Sequence, residues 1–181
     1  MGWKNTRSAY GTLPIALHWL TLLLLAAVYA SMEFKSIFAK GSPGREMMAV
    51  WHHSLGLSVF LLTWVRLLVR LAGAQPTPAP GLPRWQAVLA KATHALLYAL
   101  LIGLPLLGWL TLGARGAPAV FFGAELPALI AENAGRAKWL KNLHETGASV
   151  GYLLIAIHAG AAIYHHVVQR DGSLRRMLPG H

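Results

Sequence analysis

Two histidines, His144 and His158, stand fourteen positions apart in an almost uncharged run, NLHETGASVGYLLIAIHAGAAIYHH. In a helix each residue turns the chain by about 100° and advances it by about 1.5 Å. The two imidazoles would therefore share one helix face and lie about 21 Å apart along it. A zinc site needs helical ligands three or four positions apart. The spacing instead suits two stacked haems, each of which takes one axial nitrogen from this helix.

The composition indicates a membrane protein, because 55% of the 181 residues are hydrophobic and 12% are charged. The chain contains no Cys, which excludes disulfides, thiolate nucleophiles and cysteine-held metal clusters. Its net charge of +10 does not indicate nucleic-acid binding, since Lys and Arg lie between and just beyond the apolar runs. Any metal chemistry must therefore rest on histidine.

Charge-free stretches define the elements that must carry these histidines. Each is close to the roughly 20 residues that cross a bilayer as a helix. The four stretches are 8–32, 47–65, 92–114 and 146–169. We therefore predict an all-α fold, an integral membrane four-helix bundle with two haems between the helices. The bundle forms a single domain over residues 1–181, with spans at about 13–33, 47–70, 90–112 and 143–168.

Orientation and the longest connection complete this prediction. An arrangement with both termini in the cytoplasm places nine of the sixteen Lys and Arg residues inside, which agrees with the positive-inside bias. The connection over residues 115–143 is long enough for a short helix at the membrane surface before the last span.

Partner histidines for each haem follow from depth in this topology. His18 lies at the level of His158 near the inner surface, and His52 lies at the level of His144 near the outer surface. We therefore predict that His18 and His158 hold the iron of an inner haem, and that His52 and His144 hold the iron of an outer haem. The alternative for each histidine is a hydrogen bond across helices or a position at the membrane boundary.

Two further histidines have no assigned role. His53 directly follows His52 and is the alternative member of that pair. His94, near the inner end of the third span, has no free partner at its depth. We treat it as a candidate neighbour of the inner ligands or of a quinone site.

Glycines and arginines surround the predicted ligands. Gly56, Gly147 and Gly151 lie on the ligand-bearing faces, where they leave room for a porphyrin plane or allow close helix packing. Arg66 and Arg70 lie at the inner end of the second span. Their guanidinium groups are candidates for pairing with haem propionates, and the alternative is ordinary anchoring at the membrane surface.

The motifs around these residues, taken together, resemble those of the bacterial cytochrome b561 family. The resemblance covers nearly the whole chain and is closest to the short superoxide-oxidising members, which are superoxide:ubiquinone oxidoreductases of the inner membrane. The motifs are LHW at 17–19, HHSLG at 52–56, VRLLVRL at 65–71, HALLYALLIGLPLLGW at 94–109, LKNLHET at 140–146 and GYLLIAIHAGAA at 151–162.

The resemblance implies an enzyme that transfers electrons from periplasmic superoxide to ubiquinone through two haem b groups. The implied ligands are His18, His52, His144 and His158. Since two axial imidazoles leave no open position on iron, outer-sphere transfer is expected. The basic residues that precede His144 would then steer superoxide to the outer haem. They are Arg136, Lys138 and Lys141.

The expected setting is the bacterial inner membrane, in a multi-pass arrangement with cytoplasmic termini. The expected partners are ubiquinone, superoxide and the lipid bilayer, with no nucleic acid and no required protein partner. Two other functions stay open from the sequence. One is a cytochrome b subunit that links a dehydrogenase or hydrogenase to the quinone pool, and the other is a haem-free transporter or assembly factor.

Overall fold

Four long helices make up the computed structural model, which describes residues 2–7, 9–77 and 83–178. They are α1 (Thr12–Lys35), α2 (Pro43–Ala72), α3 (Arg84–Ala114) and α4 (Ala134–Tyr164). Each is long and apolar enough to cross a membrane. The prediction of an all-α membrane four-helix bundle is confirmed for the described residues, with one small addition, a two-stranded hairpin.

Side-chain contacts show that successive helices run in opposite directions. The start of α2 meets the end of α1, because His52 Nδ1 lies 3.2 Å from the Val28 carbonyl oxygen. The start of α4 likewise meets the later part of α3, where His144 Nδ1 lies 2.9 Å from the Leu104 carbonyl oxygen. Helix α1 also touches α4 through the Tyr29 hydroxyl, which donates to the Ala148 carbonyl at 3.0 Å. The result is an up-down-up-down bundle.

Local signals set where two of the helices begin. The Ser42 side chain accepts a hydrogen bond from the Arg45 amide, and Pro43 occupies the first helical position. The Asn133 side chain accepts from the Arg136 amide at 2.8 Å and starts α4. Helix α4 therefore begins at Ala134, well before the predicted start of the last span. The expectation of a separate surface helix in the connection over residues 115–143 is wrong, because residues 134–143 form the first turns of α4.

A short antiparallel hairpin occupies the connection between α3 and α4. Its strands are β1 (Ala119–Phe121) and β2 (Ala124–Leu126). The turn between them is tight, since Phe122 has φ 47° and Gly123 has φ 91°. We call the end of the bundle that carries this hairpin the hairpin end. The opposite end, where the described residues nearest both ends of the chain lie, is the terminal end.

Ser54 of α2 holds the hairpin on the bundle. It is 1% exposed; its hydroxyl accepts from the Phe122 amide at 3.0 Å and donates to the Val120 carbonyl at 3.3 Å. Phe122 also packs edge-on against Trp51 of α2, with ring centroids 6.1 Å apart. The hairpin thereby lies over the start of α2, next to His52 and His53.

The described C-terminal segment folds back across the terminal end. The Trp19 indole donates to the Met177 carbonyl at 2.6 Å, and the His165 Nδ1 atom lies 2.7 Å from an Asp171 carboxylate oxygen. Burial alone would raise the pKa of Asp171, but hydrogen bonds from Ser173 and His165 outweigh it and lower that pKa below its ordinary value. Asp171 therefore stays ionised and holds the segment near His165.

Removing the Ser54 hydroxyl should free the hairpin without unfolding the bundle. We expect Ser54→Ala to destabilise the docked hairpin by about 1 to 3 kcal/mol, because two hydrogen bonds, one from the Phe122 amide and one to the Val120 carbonyl, are lost. Hydrogen exchange at the Phe122 amide should rise accordingly. Ser58→Ala is the control, since the Ser58 hydroxyl donates to the Ser54 carbonyl one turn earlier in α2. Equal protection of Phe122 in both variants would contradict the assigned role of Ser54.

Candidate haem-binding cavity

The four helices line a partly open cavity of about 1650 Å³ that reaches from the hairpin end to the terminal end. Few large apolar side chains fill the interior of the described bundle, and its largest fully buried side chains are Val59 and the hydroxyl-bearing Thr21, Thr63 and Ser54. The hydroxyls of Thr21 and Thr63 donate to carbonyls four residues earlier at 2.7 Å, and that of Ser54 bonds the hairpin. The helices therefore pack around a space rather than on a continuous apolar core.

Four histidines line this cavity in two facing pairs. The ring centroids of His18 and His158 lie 6.2 Å apart near the terminal end. Those of His52 and His144 lie 6.1 Å apart near the hairpin end. These are the pairs that depth in the sequence predicts. Their role as ligands stays a prediction.

The separation of the rings suits a metal held between two imidazoles. A metal–nitrogen bond of about 2.0 Å on each side, with the nitrogen about 1 Å from the ring centre, separates the two centroids by about 6 Å. Both pairs have this separation. The described residues contain no group of three or more His, Asp or Glu side chains that would hold a bare metal ion. The groups that could bind a metal within the cavity are therefore the two imidazole pairs.

Backbone carbonyls orient the histidines at the hairpin end. Because a carbonyl oxygen can only accept, the Nδ1 atoms of His144 and His52 must carry protons and donate to Leu104 and Val28. The opposite nitrogen, Nε2, then keeps its lone pair available for a metal. Pro105, the residue after Leu104, lacks an amide hydrogen and therefore leaves the carbonyl of Leu101, four residues earlier, without its helical donor.

A different contact orients His18 at the terminal end. Its Nδ1 atom lies 3.3 Å from Arg66 Nη2, and the guanidinium can only donate. Arg66 and Arg70 also both lie against the Tyr98 ring, each 5.9 Å from its centroid. Among the described residues the ion pairs are Lys141–Glu145 and His165–Asp171. Both arginines therefore line the cavity without a carboxylate partner.

The three glycines singled out in the sequence divide between two roles. A Cβ atom at Gly56 would meet nothing within 4 Å, and Gly56 lines the cavity. A Cβ at Gly147 would lie 2.7 Å from Leu104 Cδ2, and one at Gly151 would collide with the Tyr29 hydroxyl. Gly56 thus keeps space open beside His52, whereas Gly147 and Gly151 allow close helix contacts.

The other two histidines of the sequence analysis also line the cavity. His94 lies beside His158, with ring centroids 5.2 Å apart, so it neighbours a predicted inner ligand, which is one of the two alternatives that the sequence left open. This separation is shorter than that of either facing pair. His53 lies beside His52, with ring centroids 6.1 Å apart.

The predicted steering residues do not form one group. Lys141 lines the cavity and pairs with Glu145 one helical turn later. Lys138 lines a second, smaller cavity, and Arg136 is exposed and contributes to the lining of neither. Two further cations that were not predicted as steering residues, Lys35 and Arg115, line the main cavity at the hairpin end. Lys35 is the last residue of α1 and Arg115 directly follows α3, and these positions at predicted span ends could have indicated them from the sequence.

Comparison with known proteins identifies the kind of cavity this is. Residues 9–180 match the family model described as prokaryotic cytochrome b561. The chain belongs to the prokaryotic cytochrome b561 family. It is accordingly a multi-pass protein of the bacterial inner membrane that transfers electrons, and the family implies b-type haem. The facing imidazoles with free Nε2 atoms at the hairpin end fit that group.

Individual relatives cover almost the whole chain. Cytochrome b561 homolog 1 of Escherichia coli (strain K12) is 39% identical over 165 residues, which is 91% of this chain and 94% of the relative. The probable superoxide oxidase CybB of Yersinia pestis is 35% identical over 170 residues, or 94% and 96%. Cytochrome b561 homolog 2 of Escherichia coli (strain K12) is 28% identical over 179 residues, or 98% and 95%.

Filling the space beside His52 should lower the haem content of this cytochrome b561. We expect Gly56→Leu to reduce the ratio of haem to polypeptide by about half or more, because the new side chain enters the cavity that a porphyrin would occupy. Gly103→Leu is the matched control, since a Cβ there also meets nothing within 4 Å but Gly103 does not line the cavity. Equal haem content in both variants, measured on the purified proteins, would show that Gly56 does not border the haem.

Proposed function

We propose that this cytochrome b561 holds two haem b groups and transfers electrons from periplasmic superoxide to ubiquinone. His18 and His158 hold the inner haem iron, and His52 and His144 hold the outer haem iron. The observation that supports this most directly is the presence of two histidine pairs of matching separation at opposite ends of one cavity. The proposed orientation places the termini in the cytoplasm and the hairpin end toward the periplasm.

The chemistry of the reaction is one-electron transfer, which the bound haems supply without an open coordination position on iron. Two superoxide anions each lose one electron and become dioxygen. Ubiquinone takes the two electrons with two protons and becomes ubiquinol. Support for this substrate pair comes from the relative named as a probable superoxide oxidase, at 35% identity.

Residues of the chain hold and orient the haems from both ends. The Val28 and Leu104 carbonyls fix the proton on Nδ1 of the outer pair, which directs Nε2 toward the iron. At the terminal end, Nε2 coordination by His18 requires Nδ1 to carry the proton, so the Arg66 contact must be given up. The Arg66 guanidinium, together with Arg70, is then available to pair with haem propionates.

Positive charge at the hairpin end favours an anionic reductant. Lys141 lies at the cavity and Lys138 close to it, with Arg136 exposed on the same first turns of α4. A field of one sign around an opening raises the local concentration of small anions and the rate at which they arrive. Superoxide is such an anion, and its oxidation requires no bond to be broken.

Loss of one inner ligand should remove one haem. The purified wild-type protein is expected to contain two b-type haems per chain in its reduced-minus-oxidised spectrum, and His158→Ala is expected to contain one. His166→Ala should retain both, because His166 does not line the cavity. A wild-type protein with one haem, or a His158→Ala variant that keeps two, would contradict the ligand scheme.

Reversing the charge of Lys141 should slow the reaction with superoxide. We expect Lys141→Glu to lower the second-order rate of haem reduction by about 10-fold at low ionic strength, and high salt should remove most of the difference. Lys40→Glu makes the same charge change at the hairpin end, but Lys40 is exposed and lines neither cavity.

The purified protein is assayed alone with a superoxide source and a short-chain ubiquinone. Identical rates and salt dependence in wild type and Lys141→Glu would refute steering by Lys141. Failure of superoxide to reduce the wild-type haems at all would refute the proposed substrate and favour a cytochrome subunit that depends on a dehydrogenase or hydrogenase partner.

A further inference from the structure

A second cavity opens at the hairpin end, where α3 ends and α4 begins. Its volume is about 450 Å³. We call it the vestibule and define it by its lining residues Ala114, Arg115, Glu132, Ala134, Ala137, Lys138 and Lys141. Two of these residues are packed into the helix junction, since Ala114 is fully buried and Ala137 is 6% exposed. The vestibule is therefore an open depression over the junction of α3 and α4.

Two cations connect the vestibule to the main cavity. Arg115 and Lys141 line both spaces. Lys35, the last residue of α1, also lines the main cavity, as do His52 and His144. A series of three cations, Arg115, Lys141 and Lys35, thus lines the space between the vestibule and the histidine pair at the hairpin end.

Nearby carboxylates neutralise Lys141 but form no ion pair with Arg115 within the described residues. Lys141 is paired with Glu145, and both side chains are about half exposed, so water screens the pair. Glu132 lies against the turn at Gly116, where an added Cβ would be 2.8 Å from its Oε2 atom. Arg115 forms no ion pair with a carboxylate within the described residues. Of the two cations at the junction, Arg115 is therefore the one most available to an incoming anion.

We propose that small monovalent anions reach the histidines at the hairpin end through the vestibule, and that Arg115 and Lys35 are the residues that draw them from it into the main cavity. Naming superoxide as the natural anion rests on the proposed function, whereas the route applies to any anionic one-electron reductant. Arg115 and Lys35 act by positioning the anion, since neither exchanges an electron with it. The steering site thereby extends from the start of α4 to the ends of α1 and α3.

The route can be tested with an anion other than superoxide. Dithionite dissociates to the sulfur dioxide radical anion, which gives up one electron to become sulfur dioxide, and an uncharged hydroquinone is the neutral comparison. Each is added to sealed proteoliposomes whose hairpin end faces the bath, as shown by protease cleavage at that end. The rate of haem reduction is followed by stopped-flow absorption in wild type, Arg115→Gln, Arg115→Lys and Lys40→Gln.

We expect Arg115→Gln to slow reduction by the radical anion about 3- to 10-fold at low ionic strength and to flatten its salt dependence. Arg115→Lys should restore most of the rate, Lys40→Gln should resemble the wild type, and the neutral hydroquinone should reduce all four proteins equally. The route is overturned if Arg115→Gln matches Lys40→Gln, or if it slows the neutral reductant as much as the anion. Should Arg115→Gln fail to fold, Lys35→Gln must give the same selective loss.

Measuring superoxide reduction with the same variants distinguishes an incorrect anion route from an incorrect substrate. If superoxide does not reduce the wild type but the radical anion shows the expected dependence on Arg115, the substrate proposal fails and the route stands. If superoxide reduces every variant at the same rate, with the same salt dependence, the substrate proposal stands and the route fails.

Discussion

An imidazole within the hydrocarbon region must have its polar nitrogens satisfied, and this requirement organises the bundle. At the hairpin end, His52 and His144 direct one nitrogen to a backbone carbonyl of a neighbouring helix and the other into the central cavity. These contacts link α1 to α2 and α3 to α4. They also fix which nitrogen is available for a metal, so helix packing and ligand chemistry depend on the same hydrogen bonds.

The two ends of the cavity differ in where their cationic side chains lie. At the terminal end, Arg66 and Arg70 lie against Tyr98, and Arg66 is partly buried there, where a cation is costly without an anionic partner. At the hairpin end, the cations lie around the openings, where an arriving anion can meet them. A bound carboxylate suits the first arrangement, and a mobile anion suits the second. The asymmetry matches an electron path that starts at one surface and ends at the other.

Periodicity and depth account for the parts of the molecule that the sequence predicted. The charge-free stretches set the four helices, because a chain in lipid has few other ways to satisfy its backbone. Fourteen residues of regular helix place His144 and His158 on one face at different depths, and antiparallel neighbours bring His52 and His18 to those depths. The early start of α4 and the hairpin held by Ser54 were not predicted, since both depend on a cap and a buried contact in a connection without periodicity.

The sequence by itself determined the class of protein, the four spans and the pairing of histidines, because these follow from hydropathy and helix geometry that act along the chain. The tertiary structure decided what lies between the helices. It placed His94 beside His158, assigned Gly147 and Gly151 to packing and left Gly56 open to the cavity. It also placed Arg115, Lys35 and Lys141 in the lining of one cavity, although these residues come from three different helix ends. Distances between side chains on separate helices depend on how the helices cross, which no local pattern in the sequence records.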